Sequence, residues 1–199
     1  ADTGMDVLTH SIEAYVSTNA NPFSSSFAMK SIKLIFENLV AHYNDRKIQG
    51  PKENVQFASC LAGIAFDNSS LGINHSIAHT VGAKFHIAHG RANAIIMPYV
   101  IEVNTEANRK YFEISRELGL PSDTIEEGKY SLLSFVRILK EKLAVEKSLK
   151  DYGVDFETFK REIPSMLEDI KKDICTQYNP NKLTDEEYVR LLLKIYFGE

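Results

Sequence analysis

Apolar residues recur at three- and four-residue intervals along nearly the whole chain, and no stretch alternates for long enough to make a convincing strand. A period near 3.6 buries one stripe of a helix, whereas a period of two buries one face of a strand. The pattern therefore restricts the chain to packed helices. Met5, Leu8, Ile12 and Val16 set the first stripe, and Phe27, Ile32, Ile35, Phe36, Leu39 and Val40 the second. Residues 55–66 are almost all apolar or small, so this helix is expected at the centre, with Cys60 as a buried packing residue. Residues 92–103, 106–118, 132–145, 156–174 and 186–197 continue the rhythm, the last three on more charged helices. Pro22 among serines, Gly50-Pro51 and Gly119-Leu120-Pro121 punctuate it, and Asn179-Pro180-Asn181 reads as a local loop. The expected architecture is one all-α domain over residues 1–199.

With 199 residues, 44% of them hydrophobic, the chain can bury a sizeable core, which excludes fibrous and disordered classes. A net charge of −4 supplies no basic stripe, so no nucleic-acid partner is expected. Cys60 and Cys175 stand far apart in sequence, which fits a reducing, cytoplasmic setting rather than a disulfide scaffold. No apolar run reaches the roughly 18–20 residues of a membrane span. The chain opens without Met and without a targeting peptide, so it is expected to be either processed or a piece of something longer.

Four of the six histidines, His75, His79, His86 and His89, fall within one short segment. Asp6 and His10 stand four residues apart on the first helix, about 40° apart around its axis, where their tips can converge on one cation. The same spacing also arises in ordinary Asp–His hydrogen bonds. His75 and His79 repeat the interval just after the Ser69-Ser70-Leu71-Gly72 break, with Ser76 where a zincin protease would carry its general base. Gly82 lets the chain turn back so that His89 approaches from a neighbouring segment, and Gly90 permits close packing or an unusual backbone angle. One carboxylate with two or three imidazoles and no thiolate suits Fe(II), Zn(II), Mn(II) or Co(II). An open position on such an ion would make it a Lewis acid toward oxygen.

The segment Thr3-Gly4-Met5-Asp6-Val7-Leu8-Thr9-His10 through Tyr15 closely resembles a signature of the iron-containing (group III) alcohol dehydrogenases. Gly72-Ile73-Asn74-His75-Ser76-Ile77-Ala78-His79 does too, with Gly82, His89-Gly90, Ala92-Asn93-Ala94-Ile95 and Pro98-Tyr99. The resemblance is strong over residues 3–104. It implies the helical C-terminal domain of the dehydroquinate synthase-like fold, with Asp6, His10, His75 and His89 binding one Fe2+ or Zn2+. It also implies His79 near substrate and nicotinamide, as a proton relay or positioning residue. His86 matches no ligand, and His42 is expected at the surface.

Family members are about twice as long, with an N-terminal α/β domain that carries a Gly-rich dinucleotide loop. Nothing here resembles that domain, so the chain is expected to be the metal-binding half, inactive until joined to its nucleotide-binding partner. The implied activity of the whole is NAD(P)-dependent interconversion of alcohols and aldehydes, in a homo-oligomer. The wording around His75 and His89 is most similar to members acting on ethanol, propanol or butanol. A glycerol dehydrogenase or dehydroquinate synthase relative is the alternative within the fold, and a non-redox helical metal-binding module the alternative outside it.

Overall fold

A computed structural model describes residues 1–199, and every regular element in it is helical. The ten α-helices are α1 (Asp2–Val16), α2 (Pro22–Asn44), α3 (Gln49–Ser69), α4 (Ile73–Phe85), α5 (His89–Val103), α6 (Asn108–Glu117), α7 (Ile125–Lys142), α8 (Leu149–Tyr152), α9 (Phe156–Lys172) and α10 (Asp185–Phe197). Short 3-10 turns follow α5 and α9. Local chemistry sets the starts of several. Asn21 and Ser24 exchange side-chain and backbone hydrogen bonds at the start of α2, and Thr184 and Glu187 do the same for α10. Thr124 and Asp155 cap α7 and α9. No helix is long and apolar enough to cross a membrane.

α1 lies among α2, α3 and α5, and its Met5, Leu8 and Ile12 belong to one contiguous apolar core. A polar stitch crosses that packing: Ser11 Oγ donates to Ser31 Oγ at 2.7 Å, and Ser31 Oγ to the Ala58 carbonyl at 2.8 Å. α4 packs against α5 and α9, α6 pairs with α7, and α10 closes on α5, α8 and α9. Close approach of α5 to α1 depends on Gly90. A Cβ there would stand 2.5 Å from the Asp2 carbonyl oxygen and 3.2 Å from Asp6 Cβ. The backbone of Gly90 is ordinary, so small size is what the position requires.

Two local expectations change. Residues 55–66 are not central: α3 buries only the stripe Ala58, Ala62, Ala65 and Ser69, while Phe57 is 61% and Ile64 40% exposed. Small residues let α3 approach its neighbours closely, so the alanine stripe wins the interface and the larger side chains fall outside it. Cys60 consequently lies on the surface. The chain also turns at His86, which takes a left-handed φ of 55°, and not at Gly82, which stays within α4. His42 is partly buried on α2, with its Nδ1 unpartnered.

Candidate metal centre

Three helices deliver four donors to one place. α1 contributes Asp6 and His10, α4 contributes His75 from its first turn, and α5 contributes His89 as its first residue. One ligand atom from each lies within 4.8 Å of every other. His89 Nε2 is 3.4 Å and His75 Nε2 3.8 Å from Asp6 Oδ1. Bonds near 2.1 Å to a tetrahedral divalent ion place donors about 3.4 Å apart, so the spacing suits such an ion.

Hydrogen bonds turn the imidazoles. His10 Nδ1 lies 2.8 Å from the Asp6 carbonyl oxygen, an acceptor only, so this nitrogen carries the proton and Nε2 keeps its lone pair. His75 Nδ1 likewise donates to Glu13 Oε2 at 2.5 Å. That leaves His75 Nε2 fully buried with no hydrogen-bond partner. An orphaned buried acceptor costs stability unless something electropositive meets it, and a cation between the four donors would do so. The donor set therefore fits a divalent metal ion.

Glu13 was not singled out from the sequence, yet it organises the site. Its Oε1 accepts the Asn74 backbone N–H at 2.7 Å, so one buried carboxylate caps α4 and fixes the His75 ring. Gly72 makes room, since a Cβ there would stand 2.8 Å from Glu13 Oε1. Asn93 was also missed as a site residue. Its Nδ2 donates to Asp6 Oδ1 at 2.7 Å and lies 3.1 Å from His89 Nε2, while its Oδ1 accepts from Asn74 Nδ2 at 2.8 Å.

Burial favours the neutral form of His10 and His89. Burial, and next the neighbouring His75, hold His10 below the ordinary imidazole range. Burial also lowers His89, against the pull of Asp6, with His75 and His79 adding to the lowering. A neutral ring is the form that can offer a lone pair.

His79 stands beside the cluster and outside it. Its ring stacks on His89 at 5.3 Å between centroids, and its Nδ1 donates to Asp173 Oδ2 at 2.8 Å. Burial pushes the Asp173 carboxyl up, but hydrogen bonds from His79 and the Cys175 N–H hold it below its usual range. Burial and Asp173 push the Cys175 thiol up to about 12, so it stays protonated. His75 is 1% exposed, whereas His79 and His89 are 45% and 44% exposed, so the cluster is sealed by α1 and α4 and open toward those two rings. His86 is exposed where it ends α4 and does not join the cluster.

Fold and donor set together define a class: an all-helical domain with a partly buried one-carboxylate, three-imidazole cluster open on one side. Residues 1–196 match the C-terminal domain of the Fe-containing alcohol dehydrogenase family, and the chain belongs to that family. It is 42% identical over 199 residues to the NADPH-dependent butanol dehydrogenase of Clostridium saccharobutylicum, covering 100% of this chain and 51% of the relative. The iron-containing alcohol dehydrogenase of Thermococcus thioreducens is similar at 36% identity and a TM-score of 0.89, over 100% of this chain and 50% of that one. A 1,3-propanediol oxidoreductase is similar at 31% identity and a TM-score of 0.93, over 98% and 51%. The chain thus spans about half the length of each of these relatives.

Proposed function

We propose that residues 1–199 form the metal-binding half of an NAD(P)-dependent alcohol dehydrogenase that interconverts short-chain primary alcohols and aldehydes. The observation that carries this reading is the buried, unpartnered Nε2 of His75, aimed into a four-donor cluster within the C-terminal domain of this family. Asp6, His10, His75 and His89 would hold the ion, with Fe2+ as the resident metal and Zn2+ as the alternative. Such an ion supplies a Lewis acid for the oxygen of the alcohol or aldehyde. Glu13 orients the His75 ring through Nδ1, and Asn93 holds Asp6 in register.

His79 moves the proton. With Nδ1 held by Asp173, its Nε2 takes the hydroxyl proton as an alcohol is oxidised and returns it as an aldehyde is reduced. The nicotinamide nucleotide would supply the hydride acceptor or donor; no residue of this chain is assigned to it, and a partnering N-terminal α/β domain would carry its site. The working form is proposed to be a cytoplasmic homo-oligomer. The 42% identity to a butanol dehydrogenase supports the short-chain alcohol class.

A chimaera joining the N-terminal half of the Clostridium relative to residues 1–199 tests this reading. Loaded with Fe2+ or Zn2+, it should reduce butanal at the expense of a nicotinamide nucleotide. His75→Ala and His89→Ala should each lose the ion, while His79→Ala should keep it and lose about a hundredfold or more in turnover. Metal retention without nucleotide-dependent turnover would sink the dehydrogenase reading, and equal metal loss in all three variants would undo the role given to His79.

A further inference from the structure

Lys140 is a buried amine that the chemistry above does not use. It sits on α7, only 4% exposed, and borders a cavity of about 370 Å³ lined also by Pro98, Tyr99, Arg137, Lys147 and Gly198. This is further along α5 than the metal cluster, which sits at that helix's first turn.

The surroundings suit an amine better than an ammonium. Lys140 Nζ has two acceptors, the Ile95 carbonyl at 3.2 Å and the Lys147 carbonyl at 3.4 Å. A neutral amine has two N–H groups and one lone pair, so these carbonyls satisfy it and leave the lone pair free. An ammonium has a third N–H, and no carboxylate stands within ion-pairing distance to take it. The charged groups nearby do not change this balance. Arg137 on the same helix pairs with Glu102 of α5, Glu146 pairs with Arg91, and Asp151 accepts from Ser148 Oγ. Lys147 and Arg137 place positive charge beside the amine, and Glu141 borders the same cavity.

We propose that Lys140 is a nucleophilic amine site that takes small aldehydes as a reversible imine. The Nζ lone pair attacks the carbonyl carbon, a proton moves from nitrogen to oxygen to give the carbinolamine, and loss of water leaves the C=N bond. No oxidant or reductant is consumed. Burial, followed by the charge of Arg137, pushes the lysine down to about 7, so a large fraction of it is nucleophilic near neutrality. The cavity is large enough for a short aliphatic aldehyde beside the amine. The inference is independent of the dehydrogenase reading, since it uses none of the metal cluster.

Reductive trapping on the 199-residue chain tests it. The chain is incubated with propanal and cyanoborohydride at pH 7, in buffer and in urea, and the propyl-lysine adducts are mapped by peptide mass spectrometry. In buffer, Lys140 should be labelled at least about tenfold faster than any exposed lysine, with half-maximal rate near pH 7, while the exposed lysines accelerate up to pH 10. In urea the preference should vanish. Labelling spread over exposed lysines with Lys140 no faster, or a preference that survives in urea, would overturn the proposal.

Discussion

Glu13 joins two helices and one imidazole through a single carboxylate, which makes it the most informative side chain to alter. In Glu13→Gln the amide oxygen can still accept the Asn74 N–H, but the amide NH2 then faces the Nδ1–H of His75. Divalent-ion affinity should fall about 10–100-fold while α4 persists, as read by chelator competition and far-UV circular dichroism. Unchanged affinity would remove Glu13 from the site. The Asp6–His10 pair was legible because donors four residues apart on a helix share a face, whereas taking His75 and His89 with them and leaving His79 out came from the resemblance to the family's motifs. Glu13 left a signal too, since residues 6, 10 and 13 lie along one side of α1, but weighing Asp–His pairs alone passes over it. Asn93 left a faint one, four residues after His89 on α5, but its bond to Asp6 spans 87 residues and depends on how helices pack. Asp173 left none, since its contact with His79 spans 94 residues.

At the scale of elements, helix existence was readable and helix environment was not. The stripes of α2, α7, α9 and α10 follow their periods, because one face of each meets the core and the other meets water, while α1 keeps its stripe although it is enclosed nearly all round, with Thr3 its one exposed residue. α3 misled because periodicity counts alanine and phenylalanine alike, whereas helix approach distance favours the alanines. The turn after α4 misled for a related reason: glycine is the usual left-handed residue, but His86 occupies that conformation here. The packing of α5 on α1 makes a sharper test. Gly90→Ala drives a methyl group into the Asp2 carbonyl, so the helices that carry three of the four donors must separate. Urea denaturation should show a loss of about 1–3 kcal/mol, and Zn2+ should stabilise this variant less than the parent chain. Equal stabilisation would mean that the cluster tolerates the shift.

For the whole molecule, the buried lysine leaves a signature in stability against pH. The folded chain holds Lys140 down at about 7, while the unfolded chain returns it to the ordinary lysine range near 10.4. Between these values the unfolded state binds the additional proton, so stability rises with pH from about 7 toward 9.5, by up to about 1.4 kcal/mol per unit. Below pH 7 the penalty is present in full. Lys140→Met should flatten that rise in denaturation curves taken across the window, and an unchanged slope would assign it to other groups. Residues 1–199 hold their own contiguous core, which is why the fold was readable from them alone, whereas substrate choice and nucleotide preference were not, since the chain spans 51% of the butanol dehydrogenase it resembles. The central claim is that Asp6, His10, His75 and His89 hold one divalent ion. Anomalous diffraction at the zinc edge from crystals of the Zn2+-loaded chain tests it most directly. The account predicts a single strong peak bonded to Asp6 oxygen and to three imidazole nitrogens, including Nε2 of His75; a cluster without a peak, or a peak bound elsewhere, would contradict it.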